Sequence, residues 1–386
     1  MNNWPSYSDE EIKSVCSVLR SGKVNYWTGK ECRFFEEEFA SWSETKYAVA
    51  LSNGTVALDL ALWALKISIN DEVIVTSRTF IASVSSIVNT GATPVFVDVD
   101  KESGNFSTDA ILNAITKKTK AIICVHLAGW PCDMDEICDI ANKNNLYVIE
   151  DCAQAHGASY KGRSVGSIGD IGCWSFCQDK IISTGGEGGM ITTNNKGLWL
   201  KIWEFKDHGK SHDSVYNKIH PPGYRWLHDS FGSNYRMTEM QGAIGRIQLK
   251  KIDSWQKTRL NHCKKIWNVA KILKGLRVPE VPSFIEHACY KCYIYVEHSQ
   301  LKQGWSRDII QEKLVKMGIQ CFSGTCSEVY LEKAFDDKNF VPAQRLIVAK
   351  ELGETSLMFL VHPTLSNQDI ENTCDAITKV MKIAAI

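Results

Sequence analysis

Lys180 lies between a strand-like stretch, Ile171-Gly-Cys-Trp-Ser-Phe176, and a glycine-rich turn, Gly185-Gly-Glu-Gly-Gly189. Asp151 closes another strand-like stretch upstream, Val148-Ile-Glu-Asp151. A lysine framed in this way, with an acid ending a neighbouring strand, suits Schiff-base chemistry. The amine bonds an aldehyde cofactor as an imine, and a buried carboxylate across the site keeps the cofactor's ring nitrogen protonated. The protonated ring can then take up the electrons of a breaking carbon–hydrogen bond. The cofactor this pairing implies is pyridoxal phosphate. Without Lys180, Asp151 would read as a helix cap. Gln154 and His156 follow closely enough to reach the ring hydroxyl and the substrate pocket, and the glycine-rich turn also reads as a hairpin between two strands.

A phosphate needs its own seat. Ser52-Asn-Gly-Thr55 joins a strand to a helix. Its glycine lets backbone approach an anion, and the free N–H groups of the first helical turn add about 0.3–2 kcal/mol through the dipole. The same tetrapeptide alone reads equally as a capped helix start, and Lys180 downstream favours the phosphate. Two rival phosphate motifs fail. Gly209-Lys-Ser211 lacks the leading glycine of a P-loop, position 204 being Glu, and no Gly-x-Gly-x-x-Gly follows a strand, which argues against a nicotinamide-dependent oxidoreductase. His126 and His208 are candidates for substrate contact, although a lone histidine more often packs or caps. Cys289-x-x-Cys292 has metal-ligand spacing but sits in a strand-like run with no second pair nearby, so no metal site is expected.

The elements that position these residues follow from periodicity. Candidate strands are Tyr47 to Ser52, Glu72 to Thr76, Pro94 to Val99, Lys120 to His126 and Leu146 to Glu150, with helices beginning near Thr55, Phe80, Thr108 and Asp133. Val- and Ile-rich strands separated by helices indicate an α/β fold, a mostly parallel sheet flanked by helices, whose ligands gather at the carboxyl ends of the strands. A long charged helix is expected over Lys250 to Leu276, followed by the prolines of Val278-Pro-Glu-Val-Pro282. A smaller C-terminal α+β domain follows, with a strand near Tyr290 to Val296 and helices near Ser306 to Met317, Gln344 to Leu352 and Asn367 to Ile383. The expected division is a large cofactor-binding domain over 1–255 and a small domain over 256–386.

Lys+Arg and Asp+Glu are both 44 in the 386 residues, so no global charge draws the chain to nucleic acid or an anionic membrane. The N-terminal segment carries acids where an export signal needs a basic and apolar run, and no stretch reaches membrane-spanning length. The 14 cysteines show no framework spacing and are expected to be reduced. A soluble, cytoplasmic protein is the expectation.

Together these residues resemble the DegT family of sugar-nucleotide aminotransferases. The resemblance runs through Asn53-Gly-Thr55, Asn70-Asp-Glu-Val73, Gly91-Ala-Thr-Pro-Val95, Glu150-Asp-Cys-Ala-Gln-Ala-His-Gly157, Lys180, Gly186-Glu-Gly-Gly189, His208-Gly209 and Asn234-Tyr-Arg-Met-Thr-Glu-Met-Gln241. Asn70 stands where the family usually has glycine, a change a turn tolerates. The resemblance implies the aspartate aminotransferase-like fold type I and a homodimer with shared active sites. Lys180 would bond the cofactor and Asp151 would pair with its ring nitrogen. Gln154 would contact the ring hydroxyl, Gly54, Thr55 and Ser175 would bind the phosphate, and Phe80 would stack on the ring. Asn234 would reach the phosphate from the partner subunit. L-glutamate would be the amino donor and a nucleotide-linked keto-deoxy sugar the acceptor. The alternative within the fold is a dehydratase or a regulatory relative; members that act as dehydratases replace the lysine with histidine, so Lys180 argues against that branch. The segments Gln320 to Phe335, containing Tyr330 as a further substrate candidate, and Gly353 to Thr364 resemble an O-antigen and capsule (lipopolysaccharide) subgroup. That subgroup aminates C4 of a UDP-linked 4-keto-6-deoxy-N-acetylhexosamine.

Overall fold

The Val- and Ile-rich runs assemble into a seven-stranded sheet in the computed structural model, which describes residues 4–336 and 340–386. Along the chain come β1 (Tyr47–Leu51), β2 (Glu72–Thr76), β3 (Thr93–Val97), β4 (Thr119–Val125) and β5 (Tyr147–Asp151). The short β6 (Ser159–Tyr160) and β7 (Arg163–Ser164) follow, then β8 (Ile171–Ser175) and β9 (Gly189–Thr193). The sheet order is β1-β9-β8-β5-β4-β2-β3, and every neighbouring pair from β3 to β8 is parallel. Successive residues bury on opposite faces, as expected of strands covered on both sides. Val73, Val75, Ile123 and Ile149 pack with helices α3 (Gly54–Ala64) and α4 (Ala82–Asn89), whereas Ile74, Ile122 and Val148 pack with Ile137 and Ile140 of the helix Met134–Asn144.

The exception to parallel order is β9, antiparallel to both β8 and β1. The chain between β8 and β9 is the glycine-rich turn rather than a helix. With no crossover, the strand can only fold straight back. The hairpin and the lysine-bearing turn are therefore one structure.

The long helix is Glu239–Lys271, starting well before the expected Lys250 and stopping short of Leu276. Thr238 and Gln241 form a capping box at its start. Two glycines in its first turns are packing residues: a Cβ at Gly242 would fall 2.8 Å from the Cys32 backbone nitrogen, and one at Gly245 would fall 2.5 Å from the Phe35 ring. The helix enters one core at Leu249 and Ile252 and another at Cys263, Ile266 and Ala270.

That second core lies on a four-stranded antiparallel sheet whose strands are Leu276–Arg277, Cys292–Val296, Ser356–Phe359 and Cys321–Phe322, in that spatial order. The C-terminal helix, Asn367–Ala384, covers it through Ile370, Ile377 and Val380. Cys289 and Cys292 are buried here beside Cys263 as free thiols. Two ties join the sheets. Asp98 accepts hydrogen bonds from Val348 and Ala349 N–H at 3.0 and 2.9 Å. The fully buried Arg78 donates to Ser327 and Ser356 hydroxyls at 3.3 and 2.9 Å, with its guanidinium over the Tyr293 ring. No helix among the described residues is long and apolar enough to cross a membrane.

Candidate active site

Lys180 stands in the turn between β8 and β9, its carbonyl accepting from the Trp4 indole N–H at 2.8 Å. Its Nζ lies 3.1 Å from Asp179 Oδ1 and 3.4 Å from the Tyr290 hydroxyl, which itself donates to Asp179 Oδ2. Burial would push the Asp179 carboxyl up, but the Lys180 charge and the Tyr290 and Lys180 hydrogen bonds outweigh it and hold the group below the usual carboxylate range. Burial and the Asp179 charge push the Tyr290 hydroxyl well up, so Tyr290 stays a neutral donor. The lysine opens on a cleft of about 600 Å³ lined by Phe80, Gln154, Tyr290, Lys291, Thr325 and His362, among others.

Asp151 ends β5 beneath this turn and is buried. Its Oδ2 accepts from the Ser83 hydroxyl at 2.7 Å and its Oδ1 from Ala153 N–H at 3.1 Å. Burial raises its pKa, and the Ser83 and Ala153 hydrogen bonds and the Lys180 charge only partly oppose that. Such a carboxylate gains by receiving a cation. Gln154 accepts Ala128 N–H on Oε1 at 2.8 Å, which leaves its amide NH₂ as the end able to donate into the cleft.

The Asn53 side chain caps α3 by accepting Val56 N–H at 2.9 Å. Gly54, the first residue of that helix, lies so close to the end of β8 that a Cβ would meet Ser175 Cβ at 2.6 Å. A side chain at 54 would therefore close the space between helix N-terminus and strand end. Thr55 is exposed beside it, and Phe80, 67% exposed, presents its ring on the rim of the cleft.

Five expected residues lie outside the cleft lining in the single chain. His126 does not face substrate: it is fully buried, with Nε2 3.0 Å from Glu150 and Nδ1 accepting Cys132 N–H. Glu150 also accepts from Gly166, Ile168 and Gly169 N–H. Burial would raise its carboxyl, but the His126 hydrogen bond and charge with the backbone donors win and hold it below the usual range. The stability it contributes is complete above the ordinary glutamate pKa and is lost as pH falls through the depressed folded value. With Cys152, these two form a compact cluster of metal-ligating types, but their hydrogen bonds are already made internally. Tyr330 is a second correction, being buried against Phe96 with its hydroxyl donating to Glu328 and accepting from Leu346 N–H. His208 is exposed in a turn at φ +61°, and Asn234 is exposed nearby; neither lines the cleft. His156 packs on Trp174 and Phe176, and burial with the Lys180 and Arg259 charges pushes it down to about 3, so it is neutral.

Sequence reasoning missed Ser83, Asp179, Tyr290, Lys291 and Trp4. Asp179 was adjacent to Lys180 and open to view. Tyr290 and Lys291 were hidden inside a strand-like run: Cys289 at φ +48° turns the chain, and the strand begins only at Cys292.

A lysine in the turn, a buried carboxylate suited to a cation and an open helix N-terminus, gathered at the carboxyl ends of a largely parallel sheet, are the makings of a pyridoxal-phosphate enzyme of fold type I. These residues fit that cofactor. The DegT/DnrJ/EryC1/StrS aminotransferase family model matches residues 5–378, and the chain belongs to that family. It is accordingly a pyridoxal-phosphate-dependent sugar-nucleotide aminotransferase. The chain is 37% identical to GDP-perosamine synthase of Escherichia coli O157:H7, over 97% of this chain and 96% of that protein. It is 34% identical to UDP-N-acetyl-3-dehydro-alpha-D-glucosamine 3-aminotransferase of Acidithiobacillus ferrooxidans, over 97% and 94%. The solved aminotransferase structure from Psychrobacter cryohalolentis superposes with a TM-score of 0.97 at 58% identity, covering 99% of this chain and 98% of that one.

Proposed function

We propose that the acceptor is a UDP-linked 4-keto-6-deoxy-N-acetylhexosamine, aminated at C4 in the galacto orientation with L-glutamate as donor, for O-antigen or capsule polysaccharide. The observation that carries this is the makeup of the cleft wall. Gln320, Phe322, Thr325 and Cys326, with Met358 and His362, come from the two segments whose sequence resembles the UDP-sugar subgroup, and they share the cleft with Lys180. In this reading residues 1–255 hold the cofactor and 256–386 read the sugar, although the long helix runs unbroken across that division.

When bound, pyridoxal phosphate supplies an electron sink for cleaving a carbon–hydrogen bond. Asp151 holds positive charge at the ring nitrogen, Gln154 donates to the ring hydroxyl, and Gly54, Thr55 and Ser175 bind the phosphate at the helix N-terminus. Phe80 stacks on the ring. Lys180 Nζ carries the proton to and from the substrate carbon, a role worth roughly 10²–10⁴-fold. A pocket sets product stereochemistry by offering one face of the ketone to that amine. Incubation with glutamate and UDP-, GDP- and dTDP-linked keto sugars tests the reading. The UDP sugar should react preferentially and give a product with a small H3–H4 proton coupling. A preference for GDP sugars, or amination at C3, overturns it.

The working unit in this reading is a homodimer in which the partner's Asn234 completes the phosphate seat. Ile219, Tyr224, Trp226 and Phe231 are 73–99% exposed just ahead of Asn234, an apolar cluster that a second copy would cover. Mixing Lys180→Ala with Asn234→Ala protein should restore activity in hybrid dimers, because one of the two sites then carries both native residues. Verified hybrids that stay inactive count against a shared site.

A further inference from the structure

Lys291 lines the same cleft as Lys180 and has no ion-pair or hydrogen-bond partner among the described residues. Its Nζ stands 4.6 Å from the centroid of the Tyr290 ring, and Lys180 Nζ stands 5.2 Å from the same centroid. Two amines thus share one aromatic ring at the base of the cleft. Of the acids lining it, Asp179 is engaged by Lys180 and Tyr290, and Glu332 is exposed. Behind the ring lies Arg259, fully buried, donating to the Tyr290 carbonyl at 3.3 Å, with Nε and Nη2 left unpartnered. His362, on the same wall, is pushed down to about 4 by burial and the Arg259 and Lys291 charges, so it adds no charge near neutrality. Burial, partly opposed by Asp179 and reinforced by Arg259 and Lys180, pushes the Lys291 ammonium down to about 8. An anion delivered here would meet an ammonium with its three donors unspent.

We propose that Lys291 is the receptor for a carboxylate of the amino donor, holding it while the donor's nitrogen occupies the Lys180 end of the cleft. The assignment rests on the reading of the protein as a transaminase fed by an amino acid. The alternative anion, a sugar diphosphate, fits less well. An amino acid carries a carboxylate on the same carbon as its reacting nitrogen, so that anion must lie close to Lys180. The sugar ring separates a diphosphate from the reacting carbon. A lysine serves this role as a compact point charge with three rotatable donors.

The test uses the cofactor-loaded protein and its Lys291→Met and Lys291→Arg variants, with folding checked by thermal melts. Binding of unreactive glutarate and propionate is followed by tryptophan fluorescence, since Trp4 lines the cleft. Lys291→Met should weaken glutarate binding by about 10–100-fold, the effect of losing a hydrogen bond to a charged group, and Lys291→Arg should restore part of it. Parallel loss of propionate shows that a single carboxylate suffices for recognition by Lys291. In single-turnover measurements the defect should appear in saturation by glutamate. Unchanged glutarate affinity in Lys291→Met, or a defect confined to the nucleotide-sugar half-reaction, overturns the assignment. Wild-type protein that responds to no amino acid overturns the transaminase reading beneath it, an outcome visible without any variant.

Discussion

Lys180→Ala should lose turnover by at least about 10⁴-fold, the upper end of what a positioned proton carrier supplies. It should also lose the covalent tie to its cofactor. Both follow from the cleft: Lys180 is the amine held 3.1 Å from Asp179 and 3.4 Å from the Tyr290 hydroxyl, at the end of β8 beside Asp151's strand. Lys291 shares the cleft, so a chemical test must tell the two apart. Borohydride reduction of the wild-type protein followed by peptide mapping does so. The label should fall on Lys180, and a label on Lys291 or any other lysine sinks the assignment of the reactive amine. The Lys180→Ala protein should still fold, because the contacts given up are those of Nζ to Asp179 and Tyr290 in the cleft.

Asp151→Asn should retain pyridoxal phosphate but lose about 10²–10⁴-fold in turnover, the equivalent of the roughly 3–5 kcal/mol lost when one partner of a buried ion pair is removed. The sign of its pKa shift adds a second, independent readout. Burial raises the Asp151 carboxyl. A raised pKa means that the folded chain is favoured below the ordinary carboxylate value and loses that advantage as pH rises through the folded value. Near neutrality, then, the ionised Asp151 is a burden on the cofactor-free protein. Cofactor-free Asp151→Asn should melt at the same temperature as wild type or higher, and should gain less on adding pyridoxal phosphate. A variant with near wild-type turnover and the same gain on loading would make Asp151 a helix cap after all.

The parts of the site that were legible in the sequence are those that parallel strand order brings together without knowledge of the tertiary fold. Asp151 and Ser175 end adjacent strands, and Gly54 opens a helix leaving the same edge, so a common location follows from alternating strands and helices alone. The turn bearing Lys180 was legible as well, since its glycines carry both the tight backbone and the antiparallel return to β9. His126 could not be placed this way. Its environment is decided by Glu150, on the neighbouring strand, and by the Cys132 backbone, pairings that sequence spacing does not specify. Tyr330 failed for a related reason: the segment around it does approach the cleft, but the short helical turn Val329–Leu331 rolls this one side chain inward against Phe96. The start of the long helix was missed because the close packing of Gly242 and Gly245 against Cys32 and Phe35 is a tertiary contact that local sequence does not specify.

The helix Glu239–Lys271 spans about 50 Å at 1.5 Å per residue and is seated in two separate cores. It therefore acts as a beam that fixes the gap between the jaws of the cleft, with Arg78 and Asp98 as cross-bolts. With the gap fixed, residues on the jaw faces can be exchanged without resetting the distance between them. If the proposed reading holds, sugar preference can drift at positions such as Thr325, Cys326 and Met358, which line the cleft, without moving Lys180. One scaffold can in this way be re-tooled for many carbohydrates by changing the lining alone.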